Sequence, residues 1–550
     1  MKTELRVKIL IIVMVLFVSE RTFSQASLLK DIYVGSGNSN SSEILDMDSY
    51  GIFNANDNIN GLEPWITDGT SSGTFLLKDI RTGLLGSGAH DFTKVNELAF
   101  FIAYTYLEGN ELWKTNGTEA GTVLVKDIAV GSGSPYLNNL TNFNGELFFT
   151  ADLDQNNTQV IWKSDGTEQG TIPIKNIRPN HPTSQYPRVA LFTLTNFGRM
   201  FFIASDGIHG QELWVSDGTE VGTQMVKDIK TGSLDSQIIN ITAINDVVYF
   251  GAIGDTGTYS LWRSDGTEAG TFVVVQNLIL YDNSTSITVF KDKLYFAGQM
   301  LGGSTGAELW VSDGTTLGTF MVKDINPGAY PSAPTSFQIA GDMLFFKADT
   351  PDYGLEPWLT DGTESGTVMV KDINPGASSS LVSNNIYASF KAVGNNLYFS
   401  ARDGLTIGET LWGSDGTTAG TNSILDLYPN SNDNIANITA INNILLFRAA
   451  TISYGSELWR LDNTLSVAAY NDPSKTKVYP NPVSSVLTIE TPFASNYKLQ
   501  VINQLGQLVL KQSQNASSTS IDVSTLSKGL YFLNIAGEDG ETQTIKFIKN

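Results

Sequence analysis

The sequence predicts an all-β chain: a β-propeller of about nine four-stranded blades closed by its N-terminal strand, followed by a small immunoglobulin-like β-sandwich. Three observations carry that prediction. The nine tryptophans, at 65, 113, 162, 214, 262, 310, 358, 412 and 459, all fall in one phrase that returns about every 48 residues. Each unit also breaks into short aromatic or β-branched stretches bounded by Gly, Asp, Asn and Pro, and no helical period is sustained between Gln25 and Asp462. Finally, the array begins on a returning strand, Leu28 to Ile32, with no tryptophan strand before it, and ends on a tryptophan strand, Glu457 to Asp462, with no returning strand after it. The two orphans are halves of one unit, and joining them closes a ring, whereas an open solenoid calls for polar caps at both ends.

Within a unit the phrase is clearest as ELWVSDGTTLGTFMVKDI, from Glu308 to Ile325. Alternation puts Glu308 and Trp310 on one face of a strand and Leu309 and Val311 on the other. Asp313-Gly314 begins a turn, since Asp can bond nearby backbone and Gly tolerates positive φ. The recurring Asp (68, 165, 217, 265, 313, 361, 415) is read as a turn lock, because Asn116 replaces it in one copy and an amide serves as well. Its sharper alternative is a cation site in every repeat. The tryptophans are read as blade packing. The lysines of the returning strand (30, 78, 126, 175, 227, 323, 371) are read as guards on an outermost edge. A Gly-rich connection, DINPGAYPS, then leads to two further strands, near Thr335 to Ile339 and Met343 to Ala348.

Residues 1–24 carry a basic start, a ten-residue apolar run from Ile9 to Val18 and small residues before Gln25, the pattern of a cleaved secretory signal peptide. No cysteine is present, which excludes disulfides, thiol catalysis and a lipid-anchored N-terminal Cys. The formal charge is -22, and about -24 after loss of residues 1–24, which argues against nucleic acid and anionic membranes as partners.

Residues 28–462 resemble the ELWxxDGT-repeat proteins, secreted bacterial chains named for this phrase. The copies read EPWITDGT, ELWKTNGT, VIWKSDGT, ELWVSDGT, LWRSDGT, ELWVSDGT, EPWLTDGT and LWGSDGT, with a divergent last copy, ELWRLDNT. The resemblance implies no catalytic residues. The propeller is therefore taken as residues 25–462, and residues 463–476 as a linker.

Residues 477–550 read as short alternating strands and resemble the type A C-terminal sorting domain of the type IX secretion system. The matching residues are Tyr479, Pro480, Asn481 and Pro482, then Gly529, Leu530 and Tyr531, and finally Lys546, Phe547, Ile548 and Lys549. The resemblance implies export by the type IX secretion machinery, with either release or attachment to the outer-membrane surface.

For chemistry the residues offer little. The three histidines, 90, 181 and 209, lie in different units without zinc-site spacing, and no nucleophile elbow or phosphate-binding loop occurs. Asp152, Asp154 and Asn156 have the alternate spacing of a calcium loop without its closing acidic ligand, so calcium is the one metal considered and no cofactor is expected. Spacing between copies gives a sharper lead. From each Trp to the Asp or Asn of the returning strand is 14 residues in seven of eight intervals, while from there to the next Trp runs from 33 to 40. One end of the blades is thus uniform and the other carries varied loops, where function rides on a rigid scaffold. Ligand is expected at that second end, near His181, Tyr186, Arg188, His209, Tyr353 and Tyr387. Two classes follow: a secreted or surface-exposed non-catalytic propeller that binds glycan or protein, and a propeller-type glycosidase or lyase. Uniform repeats favour the first.

Overall fold

The computed structural model describes residues 26–42, 44–152, 160–177, 189–281, 287–381, 390–405, 408–427, 432–442, 444–462, 477–479, 483, 485–491, 497–503, 507–514, 518–537 and 542–549. Every regular element among them is a β-strand. The chain divides into two compact units, residues 1–463 and 464–550.

The first unit contains nine antiparallel sheets among the described residues, eight of four strands and one of five. A representative sheet runs Thr335–Ala340, Met343–Thr350, Gly354–Thr360 and Val368–Met369, each strand pairing with the next. Its register sets Phe346 opposite Trp358 and Phe345 opposite Leu359, so a fully apolar pair lies on each face. That two-faced burial is why the strands read as apolar runs with little polar alternation. The five-stranded sheet gains Leu278–Leu280, which pairs with Lys293–Met300 alongside Ile287–Phe290.

Successive sheets bury their faces against each other. Trp310 packs with Phe296 and Leu294 of its own sheet and with Ile239, Leu261 and Val274 of the sheet before it. All nine tryptophans are buried, as their alternation onto a strand face predicts. The last sheet is completed by the first strand of the chain: Ser27–Lys30 pairs antiparallel with Gly455–Asp462, with Leu28 opposite Trp459. Leu446 and Leu458 of that sheet share a core with Phe53 and Trp65 of the first.

The lysines of the returning strands lie at the outer edge of their sheets and also reach across to the next sheet. Each Nζ donates to a threonine carbonyl in the turn of the following sheet: Lys78 to Thr122 at 2.7 Å, Lys126 to Thr171 at 2.8 Å, Lys227 to Thr271 at 2.9 Å and Lys323 to Thr367 at 2.7 Å. Lys30, from the start of the chain, reaches Thr74 in the same way at 2.6 Å. The ammonium therefore ties neighbouring sheets through a charge-assisted bond.

In the second unit, Lys477–Tyr479, Val486–Glu490 and Ser518–Asp522 form one sheet, and Leu508–Gln514, Tyr497–Asn503, Gly529–Gly537 and Thr542–Lys549 form another. Leu487, Ile489 and Ile521 from the first meet Leu499, Val501, Leu533 and Phe547 from the second in one core. The second and third sorting motifs meet on the larger sheet, where Gly529 lies opposite Lys549 and Tyr531 opposite Phe547. The Tyr531 hydroxyl donates to the Ser527 carbonyl at 2.9 Å. Tyr479 pairs with Thr488 in the smaller sheet, while Pro480, Asn481 and Pro482 lie outside the described residues.

Candidate functional site

The two ends of each sheet in the first unit are built differently. At one end the turn is nearly invariant. Asp313 Oδ1 accepts the Thr315 amide at 2.9 Å and its hydroxyl at 2.7 Å, and the same Oγ1 accepts from the Gly318 amide at 2.9 Å. Ser312 and Thr319 then join hydroxyls at 2.7 Å beneath the turn. The pattern recurs at Asp68, Asn116, Asp165, Asp217, Asp265, Asp361 and Asp415. The threonine hydroxyl bond holds the Asp313 carboxyl below its usual range. The recurring Asp is a turn lock, and its Oδ1 is committed to two donors in each copy.

At the other end a buried glutamate organises the loop that follows the outer strand. Glu308 accepts the amides of Ile325 and Ser332, both at 2.9 Å, and the Ser332 hydroxyl at 2.5 Å. Glu63 and Glu356 bridge both ends of their loops in this way, while Glu111, Glu212 and Glu457 take the two consecutive amides just past the outer strand. Burial pushes these five carboxyls up to about 7 against the pull of their hydrogen bonds, and raises Glu308 as well. The loop so pinned lies between two hairpin tips: the Gly306 amide of its own sheet donates to Gly328, and the Asp349 amide of the next sheet donates to Ser332. A rigid base thus presents side chains that differ from one sheet to the next.

His209 and Tyr353 stand at this loop end, in the fourth and seventh sheets, and are not brought together. His209 Nδ1 lies 2.8 Å from Asp206 Oδ2, and Asp206 Oδ1 accepts the Ile208 and His209 amides at 2.8 Å. The bond to Asp206 raises the imidazole above its usual pKa. Asn60 braces the first sheet's hairpin identically, donating to Asp57 at 2.7 Å, so one ring nitrogen of His209 is already spent on holding its turn. Tyr353 is partly exposed beside Gly354, whose Cα approaches the Ser378 to Ser379 backbone so closely that a Cβ would lie 2.6 Å from the Ser379 nitrogen. His181, Tyr186, Arg188 and Tyr387 lie outside the described residues, as do Asp154 and Asn156 of the calcium spacing. Asp152 is buried, with its amide donating to Pro135. Among the described residues no group of three His, Asp or Glu side chains gathers to hold a metal.

One cluster at the loop end was missed by sequence reasoning. Arg81, on the loop after the first sheet, has its guanidinium carbon 4.7 Å from the Tyr104 ring centre and 4.3 Å from that of Tyr106, both on the next sheet's hairpin. The same loop reads RTGLLGS where the corresponding loops read NPGAYPS and KTGSLDS, and nothing local in it marks the arginine as meeting two rings of the next sheet.

Residues 477–550 match the family described as Secretion system C-terminal sorting domain. The ulvan lyase NLR42 of Nonlabens ulvanivorans is 31% identical over 109 residues, which are 20% of this chain and 20% of that enzyme, so the chain spans about a fifth of the relative's length. Among solved structures, PorZ, a surface component of the type IX secretion system of Porphyromonas gingivalis, aligns over 91% of this chain and 74% of its own, at 11% identity and a TM-score of 0.30. The β-propeller domain of the Trilobed protease from Pyrococcus furiosus aligns over 62% and 99%, at 11% identity and 0.32. Scores at that level are no basis for a fold or a function. The sorting domain does establish the destination: the protein is exported through the type IX secretion system and is secreted or held at the cell surface.

Proposed function

We propose that this chain is a non-catalytic binding protein, an ELWxxDGT-repeat β-propeller delivered outside the cell. Its nine sheets are the blades, its own first strand closes the last blade, and an extracellular glycan or protein binds the loop end. The observation that carries this reading is the contrast between the two ends of each sheet. One end repeats a single hydrogen-bonded turn, and the other sets varied side chains on loops fixed by buried glutamates. Constancy in the scaffold combined with variety at one end is the arrangement of a recognition surface. Closure is supported by the pairing of Leu28 with Trp459, the reach of Lys30 to Thr74 and the core shared by Phe53 and Leu446.

Ligand contact is assigned to His209 and Tyr353 together with His181, Tyr186, Arg188 and Tyr387, the last four from the two longest connections in the sequence. An enzyme would require several blades to abandon the common pattern around reacting groups, and the described glutamates keep one structural role in six sheets. The test is a glycan array run beside a reducing-sugar assay on the purified mature chain. Saturable binding without turnover is expected, and release of sugar ends would instead make it a glycosidase or lyase.

A further inference from the structure

We infer that the sector of the loop end spanning the first two sheets is a docking patch for a protein partner with an apolar centre and a basic rim. This rests on the reading of the loop end as a binding surface and narrows it to one ligand class and one place. Five large apolar side chains, Ile59, Leu84, Leu85, Tyr106 and Leu107, are each between 61% and 76% exposed.

They are neighbours, because the loop that carries the two leucines is wedged between the hairpins that carry the others. On one side it touches the tip that bears Ile59: a Cβ on Gly61 would sit 2.3 Å from the Gly86 nitrogen and 2.6 Å from the Leu84 oxygen, and the Gly88 amide donates to Leu62 at 2.9 Å. On the other side the Tyr104 amide donates to Ser87 at 2.9 Å, and Arg81 lies against both tyrosine rings while donating to the Gly86 carbonyl at 3.2 Å. The segments that carry the patch are therefore held side by side. Apolar patches beyond a few hundred Å² are uncommon on proteins without partners.

Composition favours protein over sugar. Leu84, Leu85, Leu107 and Ile59 offer neither a ring to stack on nor a hydrogen bond, whereas Tyr and Arg amid exposed aliphatics are the side chains that anchor protein interfaces. Charge fixes the partner's rim. Asp57 lies two residues before Ile59 and Glu108 adjoins Leu107, so two carboxylates accompany one guanidinium there on a chain of net charge -22. Such a border attracts lysine and arginine and repels acidic surfaces.

The test uses the mature full chain and two sets of short synthetic peptides with the same apolar centre, one flanked by lysines and one by glutamates. The lysine set should bind, more weakly as salt is raised. Leu84→Ser with Leu107→Ser should weaken it roughly tenfold or more. Leu317→Ser, an exposed leucine in an Asp-Gly-Thr turn, should leave it unchanged, and melting temperatures should confirm that all three chains are folded. Preference for the glutamate set, binding by neither set, or equal binding by the double variant overturns the patch. Self-association of the parent chain that vanishes in the double variant also overturns it, by making a second copy the occupant. Glycan binding that survives the double variant while peptides fail removes the patch and leaves the binding end standing.

Discussion

The amide of Tyr33 donates to the carboxylate of Glu457 at 3.0 Å across 424 residues of sequence. Ile32 donates to the same group at 3.3 Å, and Leu28 lies opposite Trp459 in the ladder. The start of the chain is thus a working strand of the last sheet. Deleting Gln25 to Gly35 should expose an unpaired edge, strip Glu457 of two donors and lower the melting temperature far more than trimming a free terminus. An unchanged melting temperature would rule out this closure.

Trp310 is buried among residues of two adjacent sheets, so truncating it opens a void that neither sheet alone can fill. Trp310→Ala should cost about 3 to 5 kcal/mol in denaturant unfolding. A variant of parental stability that has lost ligand would mean that the indole serves recognition.

The turn lock predicts a coupling. A Cβ on Gly318 would lie 2.0 Å from Asp313 Oδ1, so Gly318→Ala must displace a carboxylate held by the Thr315 amide and hydroxyl. Gly318→Ala should destabilise strongly alone and much less in an Asp313→Ala background, while Asp313→Asn should be nearly neutral, as Asn116 already is in its copy. Additive costs in the double-mutant cycle would remove the lock.

How much of this was legible follows the range of each interaction. The strand order within a unit could be read because tryptophan spacing and alternation are local. The lysine bonds could not, because Lys30 and Thr74 sit 44 residues apart and meet only once two sheets are side by side. The glutamate bonds lay in between: Glu308 to Ile325 and Glu308 to Ser332 repeat at fixed separations of 17 and 24, but nothing in the sequence says that those separations end on one carboxylate. At the site, Asp206 and His209 had a readable counterpart in Asp57 and Asn60, which marks both as hairpin braces. Leu84 and Leu85 were opaque, since two leucines beside a glycine look the same whether a strand buries them or a loop exposes them.

The buried glutamates set a pH dependence. Their carboxyls rise from the ordinary 4.5 to about 7 on folding, so the folded state binds more protons than the unfolded state between those values. Their contribution is fully present below about 4.5 and is lost as pH rises through about 7. The turn aspartates act oppositely, but their range lies below 3.8 and leaves this window untouched. The melting temperature should therefore fall between pH 5 and pH 8, and Glu356→Gln should make that fall shallower. A melting temperature that rises across the window, or a slope unaffected by the substitution, would show these carboxyls to be ionised throughout.

The account stands most directly on where ligand binds. The decisive measurement is array binding and melting temperature for two variants of the mature chain, one with Tyr186, Arg188 and Tyr387 all changed to Ser and one with Asp313→Ala. The triple variant should lose its array signal and melt with the parent, while Asp313→Ala should melt earlier and keep the signal. Binding that survives in the triple variant and disappears with Asp313→Ala would place the ligand at the uniform turns and contradict the reading of the loop end as the recognition surface.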